Sequence, residues 1–595
     1  MCGITGIIGR VDKGDLKMMT DTLEHRGPDG DGFWINDNSD VGFGHRRLSI
    51  IELSDKGSQP MQIDNNNYVI TFNGEIYNYI ELRKELESLG IVCKTGTDTE
   101  VLIKAYKLWG EDCLSKLDGM FAFAIWDEYK QEMFCARDRF GEKPFFFTRQ
   151  NGALYFASEI KSFWSVGIQK NYNNQRIFHF LNSGSVNPYY LKGSTFFNEI
   201  NELKPGHFLK VKLDLSTIEQ EYWNVSSIKP SQDTFAQATE KQIHLLDQSV
   251  MRRLRSDVPV GSSLSGGLDS SILVSLLPNH SKDRQSTFSA RFDGFKFDEG
   301  AYIDSVLEKK DIAAHRVSPT SETFLNSLEN LLYYQDEPIN SASVFLQYSV
   351  MELAKKHNVT VLLDGQGADE HLGGYYSFVR SYLRELKRNK NLNFKKVKLE
   401  FESSLNQSFE FGFLEKKFAG IPNMLKILEK ARTNKLQNKG VSKEFYDQFK
   451  SDPNPKRDFS SFQDCRHSNI NDGFLQELLR YADRNSMAHS REVRLPYLDH
   501  KLVEYNCSLP VEYFLKDGWT KYIQRKAFEN IIPSQIAWRK EKVGYVAPQE
   551  EWLGQNVVKE EIERSYLNLQ KEGLISDKKS TDKWRTLIIS NFMSL

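Results

Sequence analysis

Val258–Leu277, VPVGSSLSGGLDSSILVSLL, decides the fold of the second half of the chain. Its opening, VPVGSSL, is an apolar strand, and its close, SSILVSLL, is an apolar helix. Between them lies SGGLDSS, Ser265–Ser271. The glycine pair lets the backbone approach an anion, the serines add hydroxyl donors, and the helix N-terminus favours negative charge. No lysine follows in the GxxxxGK[ST] register, so this is not a kinase or GTPase loop. Working outward, STFSARF (286–292) reads as a second apolar strand and VTVLLDG (359–365) as a third. VFLQYSVMELAKKH (344–357) is an amphipathic helix with Leu346, Val350 and Leu353 on one stripe. Alternating strands and helices predict an α/β domain with a parallel sheet covered on both faces.

The first half follows another grammar. MFAFAIWDE (120–128) and EMFCARDRF (132–140), joined across Tyr129–Gln131, read as an antiparallel hairpin. Two helices stand apart. YNYIELRKELESLG (77–90) puts Leu82, Leu86 and Leu89 on one face, with Gly90 as its stop. DTEVLIKAYKLWG (98–110) has Asp98 placed as N-cap and Gly110 as stop. Grouped strands with separate helices predict an α+β layered sandwich of antiparallel sheets. The expected organisation is a first domain over 2–212, a polar linker over 213–235 and the parallel-sheet domain over 236–550. A helical insertion of mostly solvated faces is expected over 380–470, and a helical tail over 551–595.

Across 595 residues, 78 Lys and Arg balance 80 Asp and Glu. Such neutrality argues against a protein that coats nucleic acid or an anionic membrane. No run of 18 apolar residues suggests a membrane span, and the N-terminus has no secretory pattern. The six cysteines are widely spaced, with no CxxC pair, which favours a reducing cytoplasm. Cys2 precedes Gly3. Removal of the initiator methionine would leave a thiol beside its own α-amine, whose pKa of about 7.7–8.0 makes it a usable base.

HRGPDGDG (25–32), GHRRLSI (44–50), FNGEIYN (72–78) and TDTE (97–100) surround that cysteine in sequence. With them the first half resembles the class II, N-terminal-nucleophile glutamine amidotransferases. The resemblance implies that Cys2 attacks glutamine and that Asn73 and Gly74 form the oxyanion hole. It further implies that Arg47 and Asp98 hold the α-carboxylate and α-amine, with Leu48, Ile50 and Glu75 completing the glutamine pocket. A guanidinium suits the carboxylate and a carboxylate suits the ammonium.

SGGLDSS in its strand–helix setting resembles the pyrophosphate loop of ATP pyrophosphatases. ATP would then contact Leu264, Ser265, Gly266, Gly267, Asp269, Ser270 and Ser271. Asp269 would bind Mg²⁺ together with Asp369 of DGQGADE (364–370). The two halves together resemble the glutamine-hydrolysing asparagine synthetase family. ARDRFGEKP (136–144), LLRYADRNSMAHSREVRLPYLDH (478–500) and WRKEKVGY (538–545) extend the likeness. The family's chemistry adenylates the aspartate side chain and delivers ammonia to it through the protein. Residue by residue, Phe288 and Ser289 fall at adenine, and Asp364 and Gly365 at the ribose and adenylate. Lys542 falls at the phosphates, with Lys540 close enough to take that place. Gln366 stands where many relatives, reading SGEGSDE, carry a glutamate. It can orient ammonia but cannot take its proton. Another carboxylate, such as a sugar uronate or a peptide side chain, therefore stays open as acceptor, and a tRNA-modifying enzyme is the more distant alternative. The family precedent adds a homodimer that acts on small-molecule substrates, with no nucleic-acid or membrane partner.

Overall fold

Two antiparallel sheets built from alternating apolar strands face each other in the first half of this computed structural model, which describes residues 2–280, 284–308, 310–409, 438–455, 459–540, 544–576 and 581–595. The first sheet runs Asn201–Glu202, Phe146–Gln150, Ala153–Ala157, Gly3–Ile8, Val41–Arg47, Gly30–Ile35. The second runs Thr217–Glu221, His207–Lys212, Glu132–Arg137, Gly119–Asp127, Tyr68–Ile76, Met61–Ile63. Ile4, Phe43, Val69, Trp126 and Phe156 interdigitate between them. Lys13–Asp21 covers the outer face of the first sheet, and Asp98–Trp109 covers that of the second. The layers are therefore helix, sheet, sheet, helix. The pairing of Gly3 with Arg46 brings the chain start beside Arg47.

Local details differ from the sequence expectation. The helix Asp98–Trp109 is capped by the hydroxyl of Thr97, which accepts from the Glu100 N–H, so Asp98 is its first residue rather than its cap. Freed from capping, the Asp98 carboxylate accepts the Ile76 N–H at 2.9 Å. The earlier helix ends at Ser88, which leaves Leu89 57% exposed while Leu82 and Leu86 are buried. Within the stretch expected as linker, Thr217–Glu221 pairs with His207–Lys212 and extends the second sheet.

The second half holds a five-stranded parallel sheet in the order Ile312–Val317, Gln285–Ala290, Val260–Ser263, Val361–Leu363, Glu492–Arg494. Sequence order reverses between Val260–Ser263 and Val361–Leu363. Open α/β sheets bind ligands in the crevice beyond the strand C-termini at such a reversal. The loops that leave these two strands are SGGLDSS and DGQGADE.

Part of the segment expected as solvated and the C-terminal tail both belong to the interior. Leu383, Leu386, Phe401 and Phe462, from the segment expected as solvated helices, join the core of the parallel-sheet domain. The C-terminal helix Lys583–Ser594 buries Trp584, Leu587 and Ile588 against Phe178 and Phe196 of the first half and Phe324 of the second. One hydrophobic core thus spans both halves. Among the described residues, no helix is long and apolar enough to cross a membrane.

Asp138 closes the turn after the hairpin. Its Oδ1 accepts the N–H groups of Phe140, Gly141 and Glu142 at 3.1, 2.8 and 2.9 Å, and its Oδ2 accepts those of Phe121 and Lys143 at 3.2 and 2.9 Å. Asp138→Asn would turn an amide N–H₂ towards donors in a site closed to water. A buried polar group left unpaired costs about 1–3 kcal/mol, more when a charge is involved. Thermal melting should therefore show a loss of about 2–4 kcal/mol, and an unchanged melting temperature would refute the role given to this carboxylate.

Candidate functional site

Cys2 is 7% exposed at the start of the strand Gly3–Ile8. Its backbone N–H donates to Asn73 Oδ1 at 2.9 Å. That bond turns Asn73 Nδ2 the other way, where it is buried and has no hydrogen-bond partner among the described residues. Next in the strand, Gly74 has φ +149°, and a Cβ there would lie 2.1 Å from the Met120 carbonyl oxygen. Only glycine fits this position. A thiol, a spare amide donor and a backbone N–H thus share one corner. Burial pushes the Cys2 thiol pKa up, with the Leu48 backbone N–H working against it.

The residues expected around glutamine gather here. Leu48 and Ile50 are buried. Arg47 is held by the carbonyl oxygens of Ser54 (2.9 Å) and Glu52. Burial raises the Asp98 pKa to about 6, with Glu492 adding to the shift. Glu75 is pushed well above the usual carboxylate range by burial and by Glu492 and Asp98, while Arg494 pulls the other way from 3.7 Å. Glu492 and Arg494 belong to the parallel sheet, so the second half reaches into this wall.

The second site is a cavity of about 390 Å³ at the reversal of the parallel sheet. Gly266, at φ +81°, bends SGGLDSS around its mouth, and Gly267 precedes the helix Leu268–Leu276 without a side-chain cap. Leu264, Ser265, Gly267, Asp269 and Ser270 line it, as do Phe288, Asp364, Gly365 and Gln366. Ser271 turns its hydroxyl back onto the Gly267 carbonyl at 2.6 Å, and Ser289 turns its own onto the Leu264 carbonyl at 2.6 Å. These two shape the loop instead of facing the cavity. Burial raises the Asp364 pKa. Gln366 keeps a buried Oε1 with no donor among the described residues.

Asp269 and Asp369 converge. Lys521 Nζ lies 2.7 Å from the first and 2.6 Å from the second. Burial opposes its charge, but the two carboxylates hold the lysine above its usual pKa. Gln524 Nε2 donates to Asp269 at 2.8 Å. Two carboxylates that meet at one cationic point suit Mg²⁺, which is bound by one or two carboxylates plus phosphate oxygens. The residues fit that ion. Lys540 and Arg525 add positive charge to the cavity. Lys542 lies outside the described residues.

Sequence reasoning missed Lys521, Gln524 and Arg525. A lysine in TKYIQRKAF reads as an exposed charge until the fold turns it inward. It also missed the seam. There Arg26, with no exposed surface, donates from Nε to the Cys2 carbonyl at 3.0 Å and pairs with Glu159 (2.7 Å) and Asp483 (2.9 and 3.0 Å).

Comparison with known proteins agrees with this division. The pattern of a glutamine amidotransferase domain matches residues 1–223, and that of asparagine synthase matches residues 242–588. Asparagine synthetase [glutamine-hydrolyzing] 1 of Bacillus subtilis is 33% identical over 93% of this chain and 88% of its own length. Asparagine synthetase [glutamine-hydrolyzing] 3 of the same organism is 32% identical, over 91% and 86%. Amidase chry2 of Gibberella zeae is 28% identical, over 93% and 90%.

Proposed function

The chain belongs to the glutamine-hydrolysing asparagine synthetase family, and from that membership we propose that it converts aspartate to asparagine with glutamine as nitrogen donor and ATP as activating nucleotide. One observation carries the reading: a buried thiol beside a spare amide donor and an anion loop with converging carboxylates are joined by one shared core.

In this scheme, removal of Met1 gives Cys2 a free α-amine that takes the thiol proton. The sulfur attacks the side-chain amide of glutamine. Asn73 Nδ2 and the Gly74 N–H stabilise the tetrahedral oxygen, a contribution of about 10²–10³ in rate per donor. Arg47 pairs with the substrate carboxylate, Asp98 pairs with its ammonium, Glu75 helps to bind that same group, and Leu48 and Ile50 wall the pocket. Ammonia leaves, and water releases glutamate from the sulfur.

At the second site the loop Leu264–Ser270 cradles the phosphates of ATP, Phe288 borders the adenine, and Asp364 and Gly365 border the ribose, while Ser271 and Ser289 hold the loop in shape. Asp269 and Asp369 would hold Mg²⁺, which when bound neutralises phosphate charge. Lys540 or Lys542 adds to that neutralisation. The aspartate side chain attacks the α-phosphorus and pyrophosphate departs. Ammonia, oriented by Gln366 Oε1, then attacks the acyl carbon and AMP departs. An interior route keeps ammonia out of bulk water, where it would be protonated. Because DGQGADE departs from the SGEGSDE of many relatives beside the adenylate, amidation of a sugar uronate or a peptide carboxylate is the second reading. We place the enzyme in the cytoplasm as a homodimer acting on small molecules; six unpaired cysteines and a net charge of −2 favour this setting.

Cys2→Ala should abolish glutamine-dependent pyrophosphate release and leave ammonia-dependent release intact. A screen of carboxylates with ATP, Mg²⁺ and ammonia, aspartate first, identifies the acceptor; release with none of them would refute the reading. A second expectation concerns pH. Asp98, with a pKa near 6, loses its charge as pH falls through that value and can no longer pair an ammonium. The glutamine KM should rise by about tenfold per unit below pH 6, and Asp98→Asn should flatten the profile at a high KM. A wild-type KM constant from pH 5 to 8 would remove Asp98 from the pocket.

A further inference from the structure

The nucleophile strand is held at Cys2 and at Ile4, through Arg26 and Ser158, by consecutive residues of one helix in the other half. Asp483 and Arg484 sit in Phe474–Met487. Asp483 takes Arg26 in a two-pronged ion pair at 2.9 and 3.0 Å, and Arg26 Nε holds the Cys2 carbonyl at 3.0 Å. Arg484 Nη1 donates to the Ser158 carbonyl at 3.1 Å, while Ser158 Oγ accepts the Ile4 N–H at 3.0 Å. A third tie, Ser490 Oγ to the His25 carbonyl at 2.8 Å, fixes the residue before Arg26.

These ties cannot slacken at low cost. Arg26, Asp483 and Arg484 are all buried. A buried guanidinium stays where its carboxylates are, because leaving one unpaired buries an uncompensated charge. Forked pairing also sets its orientation. Glu159, the other partner of Arg26, is shared with His25 (3.0 Å), Lys161 and Arg484 (3.2 Å), so it cannot replace Asp483. The same helix lines the nucleotide cavity with Leu478 and Tyr481. Its one side faces the cavity and its next turn holds the thiol residue.

We infer that Asp483 is a positioning residue for the glutaminase nucleophile, contributed by the synthetase half and acting through Arg26, and that the helix Phe474–Met487 ties the position of Cys2 to the wall of the nucleotide cavity. This rests on the glutaminase and synthetase roles proposed above.

The test uses the full-length chain. Glutaminase kcat and KM are measured with and without ATP and acceptor, and pyrophosphate release is measured with ammonia, for wild type, Asp483→Asn, Asp483→Glu and Arg26→Lys. Asp483→Asn removes the charge, and Arg26→Lys keeps the charge but lacks the fork. Both should lower glutaminase kcat at least tenfold, with glutamine KM and ammonia-dependent release each within twofold of wild type. Asp483→Glu, which retains the carboxylate, should recover part of the loss. ATP and acceptor should change the glutaminase rate of wild type and leave that of Asp483→Asn unchanged. Should Asp483→Asn fail to fold, Arg26→Lys carries the same readout. Glutaminase turnover within twofold of wild type in a folded variant overturns the inference. So does a proportional loss of both activities, which would mark the ion pair as mere support. A wild-type chain with no glutaminase activity would instead refute the proposed function.

Discussion

Arg26 has no contact with water, so its charge must be matched inside the protein before either half is complete. It finds Glu159 in its own half and Asp483 in the other. Burying an ion pair gains little by itself, since desolvation offsets most of the attraction. What it imposes is geometry. The halves can close only in the register that brings a guanidinium, two carboxylates and the Cys2 carbonyl together. Arg494 repeats the device lower in the seam, bonded to Glu492 at 2.6 Å and facing Glu75 across the domain boundary. Hydrophobic burial supplies the adhesion, in part through the C-terminal helix, whose Phe592 ring meets Phe196 and Phe197 of the first half at 6.0 and 5.7 Å. Charges in the seam choose the alignment.

The two candidate sites follow from constraints of different kinds. At Cys2 the constraint is steric and hydrogen-bonded: a glycine that no other residue can replace, and an asparagine whose one end is occupied so that the other is free. At the parallel sheet it is topological. Reversal of strand order opens a crevice, and the loops of the two central strands bring Asp269 and Asp369 to one point without any local sequence relation between them. Lys521 meets both carboxylates there and offsets a repulsion that would otherwise oppose folding.

Much of this was legible in the chain itself. SGGLDSS between an apolar strand and an apolar helix specified the loop, and the hairpin around Tyr129–Gln131 was written in its alternation. Local rules erred where neighbours compete. Thr97 and Asp98 both suit a helix cap, and only the demand of the Ile76 N–H assigns the carboxylate elsewhere. The seam was not legible. Arg26 and Asp483 both lie in stretches that stand out by their motifs, but 457 residues separate them, and no periodicity reports a contact of that range. The tail carries no motif, and its burial against Phe178, Phe196 and Phe324 depends on surfaces that lie far away in the chain.

In the proposed scheme, nitrogen freed at Cys2 reaches the activated acceptor without mixing with solvent. The direct measurement supplies amide-¹⁵N glutamine together with an equal concentration of unlabelled ammonium and reads the label in the amidated product by mass spectrometry. The account requires product that is almost wholly ¹⁵N at early time points. Product labelled only in proportion to the ammonia free in bulk solution would contradict it.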